Sequence, residues 1–267
     1  MTIRVLLMRA PGTNCERELQ YAFERAGAKV DLLPLQQLFT TPDPFGKYAI
    51  AGFPGGFSYG DDVASGKIFG VELQRESYES RLAEKLTKFL DRGGLAIGVC
   101  NGFQLLVKSG IMPGYPPGTL GSQPVTLTNN RSGRFEGRWV KLECLPCRAE
   151  FVPAGEYIEM PSAHGEGQFI ANNDAALQQI EDERLVAFRY VTQNGEHPAP
   201  YPSNPNGSAR GIAGICDLRG RAIGLMPHPE RNIDYFNHPE WTRLQLRGDG
   251  AGLKLFNNIV EQARKGN

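Results

Sequence analysis

Leu95-Ala96-Ile97-Gly98-Val99-Cys100-Asn101-Gly102-Phe103-Gln104-Leu105-Leu106 decides the fold, because an apolar run breaks at a cysteine and resumes with helical spacing. It reads as strand, sharp turn, helix. Gly98 and Gly102 stand two residues either side of Cys100, the G-x-nucleophile-x-G arrangement that holds one side chain clear of its own backbone. The thiol is expected to stand exposed at the top of a buried strand. It also meets a helix N-terminus, where the peptide dipoles favour negative charge. A buried cysteine ending a strand is the plainer reading of an arbitrary cysteine; the two glycines and the strand-to-helix switch argue against it here.

Outward from this turn, strands and helices alternate. Residues 3 to 9 form a first strand, and a helix is expected to begin near Asn14. Val30 to Leu33 and Tyr48 to Phe53 are further strands, a helix runs from about Tyr78 to Arg92, and Gly93-Gly94 leads into the strand that carries Cys100. This rhythm implies a mostly parallel sheet covered on both faces. Gly110 to Pro124 reads as loop. Val125 to Thr128 and Arg138 to Cys144 are strands with no helix between them, an antiparallel extension. A helix near Asp174 to Asp182, a strand at Leu185 to Val191, a loop from Asn194 to Ser208, a hairpin of Ala209 to Cys216 with Ala222 to Met226, and a helix from Gly252 to Arg264 complete the chain. With no repeat or linker in sight, residues 1–267 read as one domain.

The 29 basic and 29 acidic residues cancel, which gives no electrostatic footprint for nucleic acid. No apolar run is long enough to span a bilayer. Five cysteines at irregular spacing suit a reducing compartment, so the chain is placed in the cytoplasm.

A cysteine nucleophile needs a base and a group that orients the base. His197 and His238 lie in polar, proline-flanked segments and read as solvent-exposed. His228-Pro229-Glu230 and His164-Gly165-Glu166 each offer a base with an acid two positions on, and spacing alone does not choose. His228 follows directly on a strand end, where sites in open α/β sheets gather, and Pro229 biases it toward an extended conformation that puts Glu230 on the same face. The expected catalytic residues are therefore Cys100, His228 and Glu230, while His164 sits in a glycine-flanked loop. An oxyanion would meet the backbone N–H groups of Asn101, which follows the nucleophile, and Gly56, in a loop after the third strand. Cys144-Leu145-Pro146-Cys147 lacks the further ligands a metal needs, and no metal site is assigned. The glycines from Gly52 to Gly60 match no phosphate loop.

Residues 98 to 106 together with Pro227-His228-Pro229-Glu230-Arg231 resemble the class I (triad) glutamine amidotransferase family. Pro11-Gly12-Thr13-Asn14-Cys15, Gly55-Gly56-Phe57-Ser58-Tyr59-Gly60-Asp61, His164-Gly165-Glu166-Gly167 and Asn204-Pro205-Asn206-Gly207-Ser208 are similar, more narrowly, to the glutaminase subunits of phosphoribosylformylglycinamidine synthases. The resemblance implies a flavodoxin-like fold and glutamine as ammonia donor. Cys100 would attack the side-chain amide, His228 would protonate the leaving ammonia, and Gln104 would help to hold the glutamine. It also implies a separate synthetase subunit carrying ATP and Mg, with or without a small bridging subunit, and no cofactor in this chain. Two other readings are a partner-independent cysteine hydrolase of the same architecture and a catalytically idle interaction subunit.

Overall fold

The apolar run before Cys100 does become a strand, and it sits near the middle of a nine-stranded sheet. The chain is described by a computed structural model over residues 2–61, 64–74, 76–77, 80–114 and 123–266. In order, the elements are β1 (Arg4–Arg9), α1 (Glu16–Arg25), β2 (Lys29–Pro34), α2 (Leu35–Phe39), β3 (Ile50–Phe53), α3 (Lys67–Gln74), and the two-residue strands β4 (Glu76–Ser77) and β5 (Ser80–Arg81). Then come α4 (Leu82–Asp91), β6 (Leu95–Val99), α5 (Asn101–Lys108), β7 (Val125–Thr128), β8 (Glu136–Cys144), β9 (Tyr157–His164), β10 (Gln168–Ala171) and α6 (Asp174–Asp182). The chain closes with β11 (Val186–Val191), β12 (Ile212–Cys216), β13 (Ala222–Leu225) and α7 (Leu253–Lys265).

The large sheet runs β2-β1-β3-β6-β13-β12-β11-β8-β9. Its first five strands are parallel, and counted among themselves they follow the 2-1-3-4-5 order of a flavodoxin-like sheet. Every residue of β3, β6 and β13 is buried, so both faces of this half are covered. α1 packs with α7, where the rings of Phe23 and Phe256 meet edge to face at 5.1 Å, and α3 packs with α4 and α5. The other four strands are antiparallel and extend the same sheet. β7 pairs with β10 in a small sheet of their own.

Several boundaries differ from expectation. The first helix starts at Glu16 because Cys15, not Asn14, takes the cap position. The expected helix from Tyr78 begins at Leu82, and Tyr78 itself lies outside the described residues. Residues 115–122 of the expected loop at 110–124 also lie outside them. α2, α3, β9 and β10 were not foreseen. β9 matters most, because His164 ends it rather than lying in a loop.

Parallel strands deliver their carboxyl ends to one edge of the sheet, and there β1, β3, β6 and β13 release the segments that carry Cys15, Gly55-Gly56, Cys100 and His228. The turn after β6 is exceptionally close-packed. A Cβ on Gly102 would lie 1.9 Å from the Phe53 carbonyl oxygen, and one on Gly98 would lie 2.6 Å from the Gly102 carbonyl oxygen. Both obstacles are backbone, which no side-chain rotation relieves.

Gly102→Ala is therefore expected to lower unfolding stability by about 3 kcal/mol or more in denaturant titrations. Gly165→Ala, whose Cβ meets nothing within 4 Å, should change it by no more than about 0.5 kcal/mol. Equal stability of the two variants would refute the packing argument.

Candidate active site

Cys100 forms the turn itself, with φ 51° and ψ −107°, a region that residues with a Cβ rarely enter. Its side chain is only 6% exposed, so the thiol forms the floor of a cleft instead of standing clear as expected. The cleft measures about 460 Å³ including its open mouth. Cys15, Gly56, Asp61, Gln104, Glu166, His228 and Arg231 are among its walls.

His228 leaves β13 after Met226-Pro227, and its N–H donates to the Pro161 carbonyl at 2.8 Å. The next residues, Pro229–Arg231, turn in a 3-10 helix rather than continuing extended. The turn still brings Glu230 to the imidazole: Nδ1 lies 2.6 Å from Oε1, with both side chains buried. Burial disfavours the charged ring, but the Glu230 carboxylate and the Cys100 sulfur outweigh it, and the pKa of His228 rises well above its ordinary value. The ring thus holds a proton at neutral pH, with Nδ1 donating to Glu230.

His164 is equally buried but engaged differently. Asn130 donates from Nδ2 to the carbonyls of Arg134 and His164, each at 2.8 Å, which fixes its Oδ1 as an acceptor. His164 Nδ1 then donates to that oxygen at 3.1 Å, and Ser162 Oγ donates to Nε2 at 2.8 Å. Burial, reinforced by the nearby His228, pushes the His164 pKa down to about 4. Neutral and fully bonded, it is a structural member of the wall and not a second base. His238, read as exposed, is in fact 7% exposed and meets Glu159 Oε2 at 3.0 Å. His197 is exposed, as expected.

Asn101 N–H, at the first position of α5, has no acceptor within the helix. Gly56 faces Thr13 in a one-residue antiparallel bridge whose bonds are made by its neighbours, Phe57 N–H to Gly12 O at 2.9 Å and Asn14 N–H to Gly55 O at 3.3 Å. Gln104 lines the cleft, yet its amide is also occupied by the protein: Oε1 accepts from Asn101 Nδ2 at 3.1 Å and Nε2 donates to the Glu166 carbonyl.

Four contributors escaped the sequence reading. Asp61 accepts from Ser65 Oγ at 2.8 Å and from Gly66 N–H at 3.3 Å, which closes the loop after β3. Lys108 donates to the Ser65 carbonyl beneath the cleft and lies 3.8 Å from Glu166. Asn130 shapes the His164 wall. Cys15 faces His228 from the opposite end of the sequence and accepts from Arg231 Nη2 at 3.0 Å. No local spacing signals such contacts. Cys15, His228 and Glu230 are also the one trio of potential metal ligands among the described residues whose donor atoms all lie within 4.8 Å of one another.

A family model described as a CobB/CobQ-like glutamine amidotransferase domain matches residues 2–262. The chain is 41% identical over 264 residues to the phosphoribosylformylglycinamidine synthase subunit PurQ of Dehalococcoides mccartyi, covering 98% of each. It is 34% identical over 273 residues to the phosphoribosylformylglycinamidine synthase of Drosophila melanogaster, covering 99% of this chain and 20% of that one. Among solved structures, a chain of PurLQS from Thermotoga maritima superposes with a TM-score of 0.70 at 28% identity, over 98% of this chain and 99% of that one.

The pKa of His164 leads to a pH test. Unfolded, the ring protonates near its ordinary 6.5; folded, it stays neutral down to about 4. The unfolded state therefore binds more protons in that window, and stability falls as the pH falls from 6.5 to 4. His228, with its raised value, contributes no slope there. Chemical denaturation at a series of pH values should show His164→Asn losing roughly 3 kcal/mol less than wild type across this window; parallel curves would disprove the assignment.

Proposed function

Because the chain belongs to the family of CobB/CobQ-like glutamine amidotransferase domains, we propose that it is the glutaminase subunit of a phosphoribosylformylglycinamidine synthase. The observation that carries this reading is the convergence of Cys100 and the His228–Glu230 pair on one cleft of mixed charge. Asp61, Glu166 and Arg231 offer the walls both signs, which suits a substrate that carries both an ammonium and a carboxylate.

Cys100 Sγ attacks the side-chain amide carbon of glutamine as the thiolate, its proton being the one that His228 holds. The oxygen becomes an oxyanion between the N–H groups of Gly56 and Asn101, which stabilise it because they need not reorganise. His228, already protonated, gives its proton to the departing nitrogen, and ammonia leaves behind a glutamyl thioester. The neutral imidazole then takes a proton from water, the hydroxide attacks the thioester, and glutamate and free Cys100 result. Glu230 holds the ring in orientation and balances its charge through Nδ1. Gln104 positions the Glu166 segment and through it the glutamine.

Ammonia at neutral pH soon becomes ammonium, which has no lone pair to attack with. A partner that receives it before it reaches bulk water therefore raises the yield. That partner is a synthetase subunit that binds ATP, its magnesium and formylglycinamide ribonucleotide, joined in some assemblies by a small bridging subunit. No helix among the described residues is long and apolar enough to cross a membrane.

Glutamate release from glutamine by the purified chain, alone and with a synthetase subunit plus its substrates, tests the reading. The partner should stimulate release. Cys100→Ala should lower it by at least about 10³-fold. Glu230→Gln should cut kcat by about 10²- to 10⁴-fold with little change in KM. Absence of glutamate release even with the partner would exclude the proposal, as would full activity in Cys100→Ala. Rapid turnover of simple esters without any preference for glutamine would favour a partner-independent hydrolase.

A further inference from the structure

We propose that the carboxylates of Asp61 and Glu166 recognise the α-ammonium group of glutamine, and that Lys108, on the helix that starts beside the nucleophile, is the positioning residue that fixes Glu166 for this task. The inference rests on the proposed function and concerns the substrate specificity of the same cleft.

Asn101, Gln104 and Lys108 stand at positions i, i+3 and i+7 of α5 and so share one face of the helix. That face gathers two separate segments of the cleft wall. Asn101 Nδ2 donates to Asp61 Oδ1 at 3.3 Å, Gln104 Nε2 donates to the Glu166 carbonyl, and Lys108 Nζ donates to the Ser65 carbonyl. Ser65 links the two acids, its N–H donating to Glu166 Oε2 at 3.0 Å and its Oγ to Asp61 Oδ2 at 2.8 Å. Both acids line the cleft whose floor is Cys100.

The length of the substrate matches this spacing. Four single bonds separate the amide carbon of glutamine from its α-nitrogen, about 5 Å when extended. One helical turn, about 5.4 Å, separates Cys100 from Gln104, whose N–H donates to the Cys100 carbonyl at 3.1 Å. With its amide carbon at the sulfur, glutamine therefore reaches the wall that Gln104 ties to Glu166. Arg231, the cationic part of the cleft, stands instead at the His228 end, where it is engaged by Cys15 and lies 3.6 Å from Glu18.

Charge completes the case. Lys108 Nζ lies 3.8 Å from Glu166 Oε2 on a side chain only 6% exposed. Burial pushes its pKa down, and Glu166 and Asp61 oppose that shift. Lys67 also lies near enough to weaken the Lys108 charge, but it is exposed and screened by water. One buried cation thus faces two acids, and among the described residues this wall keeps a surplus of one negative charge, which one ammonium balances. Ser65 N–H and Lys108 both approach Glu166 through Oε2, so the internal contacts leave Oε1 to a ligand. An amide without the ammonium leaves that partly buried charge unpaired, which is costly.

Ammonia release by the full chain with its synthetase partner, measured on glutamine and on glutaramate, which is glutamine without its α-amino group, tests the assignment. Wild type should prefer glutamine by about 10²-fold or more in kcat/KM. The isosteric variants Glu166→Gln and Asp61→Asn should each raise the KM of glutamine about 10- to 100-fold, while kcat/KM for glutaramate stays within about threefold. Lys108→Met should raise the KM of glutamine in the same selective way, and Lys108→Arg should bring it back toward wild type. A merely structural role would depress both amides alike. Equal losses on the two amides overturn the proposal and leave the function standing, as does a preference for glutamine that survives in both Glu166→Gln and Asp61→Asn. Wild type that hydrolyses neither amide overturns both.

Discussion

Everything at the working edge of this molecule depends on one backbone strain, the positive φ of Cys100 held between two glycines. A residue with a Cβ enters such a conformation only where its surroundings leave no alternative. The surroundings here are the first turn of α5 lying against β3 with no room for a side chain at Gly102. That contact sets the direction in which the helix starts, hence the direction of the Asn101 N–H and of the thiol. Relaxing the turn would separate the sulfur from the imidazole even if every other residue stayed in place.

A second layer supports the opposite wall. Asn206 Nδ2 donates to the Gly167 carbonyl at 2.7 Å and to the Tyr190 hydroxyl at 3.1 Å, and Ser208 Oγ accepts from Phe169 N–H at 3.0 Å. Together with Asn130 these residues tie the loop of 204–208 to the segment that carries His164 and Glu166. Motifs that look unrelated in the sequence thus form one buried polar network. Such networks rigidify a site only when every member is bonded, and the members named here are.

The parts legible in the sequence were those governed by local rules. Periodicity located β6, α5, α6 and β13, and the same reading paired His228 with Glu230, although the reason given for their meeting was extended backbone and the actual device is a 3-10 turn. What escaped was non-local. β9 alternates buried and half-buried positions after an exposed Tyr157, but the His164 motif reads as loop because of the glycines around it, and Pro161 further masks the strand. Proline is tolerated there because β9 is an edge strand of the sheet. His238 escaped for the same kind of reason: a proline-flanked histidine looks exposed until Trp139 of β8 packs against its ring at 4.8 Å. Cys15 is the extreme case, brought to the site only by the adjacency of β1 and β3.

The two buried histidines show how environment alone separates identical side chains. Both lose solvation, which favours the neutral ring. His228 gains a carboxylate at Nδ1 and a sulfur nearby, and these return the proton. His164 gains only neutral hydrogen-bond partners, an amide oxygen and a hydroxyl; the Glu136 carboxylate opposite it on β8 does not outweigh burial and the positive charge on His228. The result is one ring charged and one neutral at the same pH, a separation of roles of the kind that acid–base sites require. It also settles why the His164-Gly165-Glu166 spacing misleads. Glu166 turns away from the histidine that precedes it, accepting from Ser65 N–H at 3.0 Å. Without a carboxylate hydrogen-bonded to its ring, a buried imidazole at that position cannot hold the proton that the leaving ammonia needs.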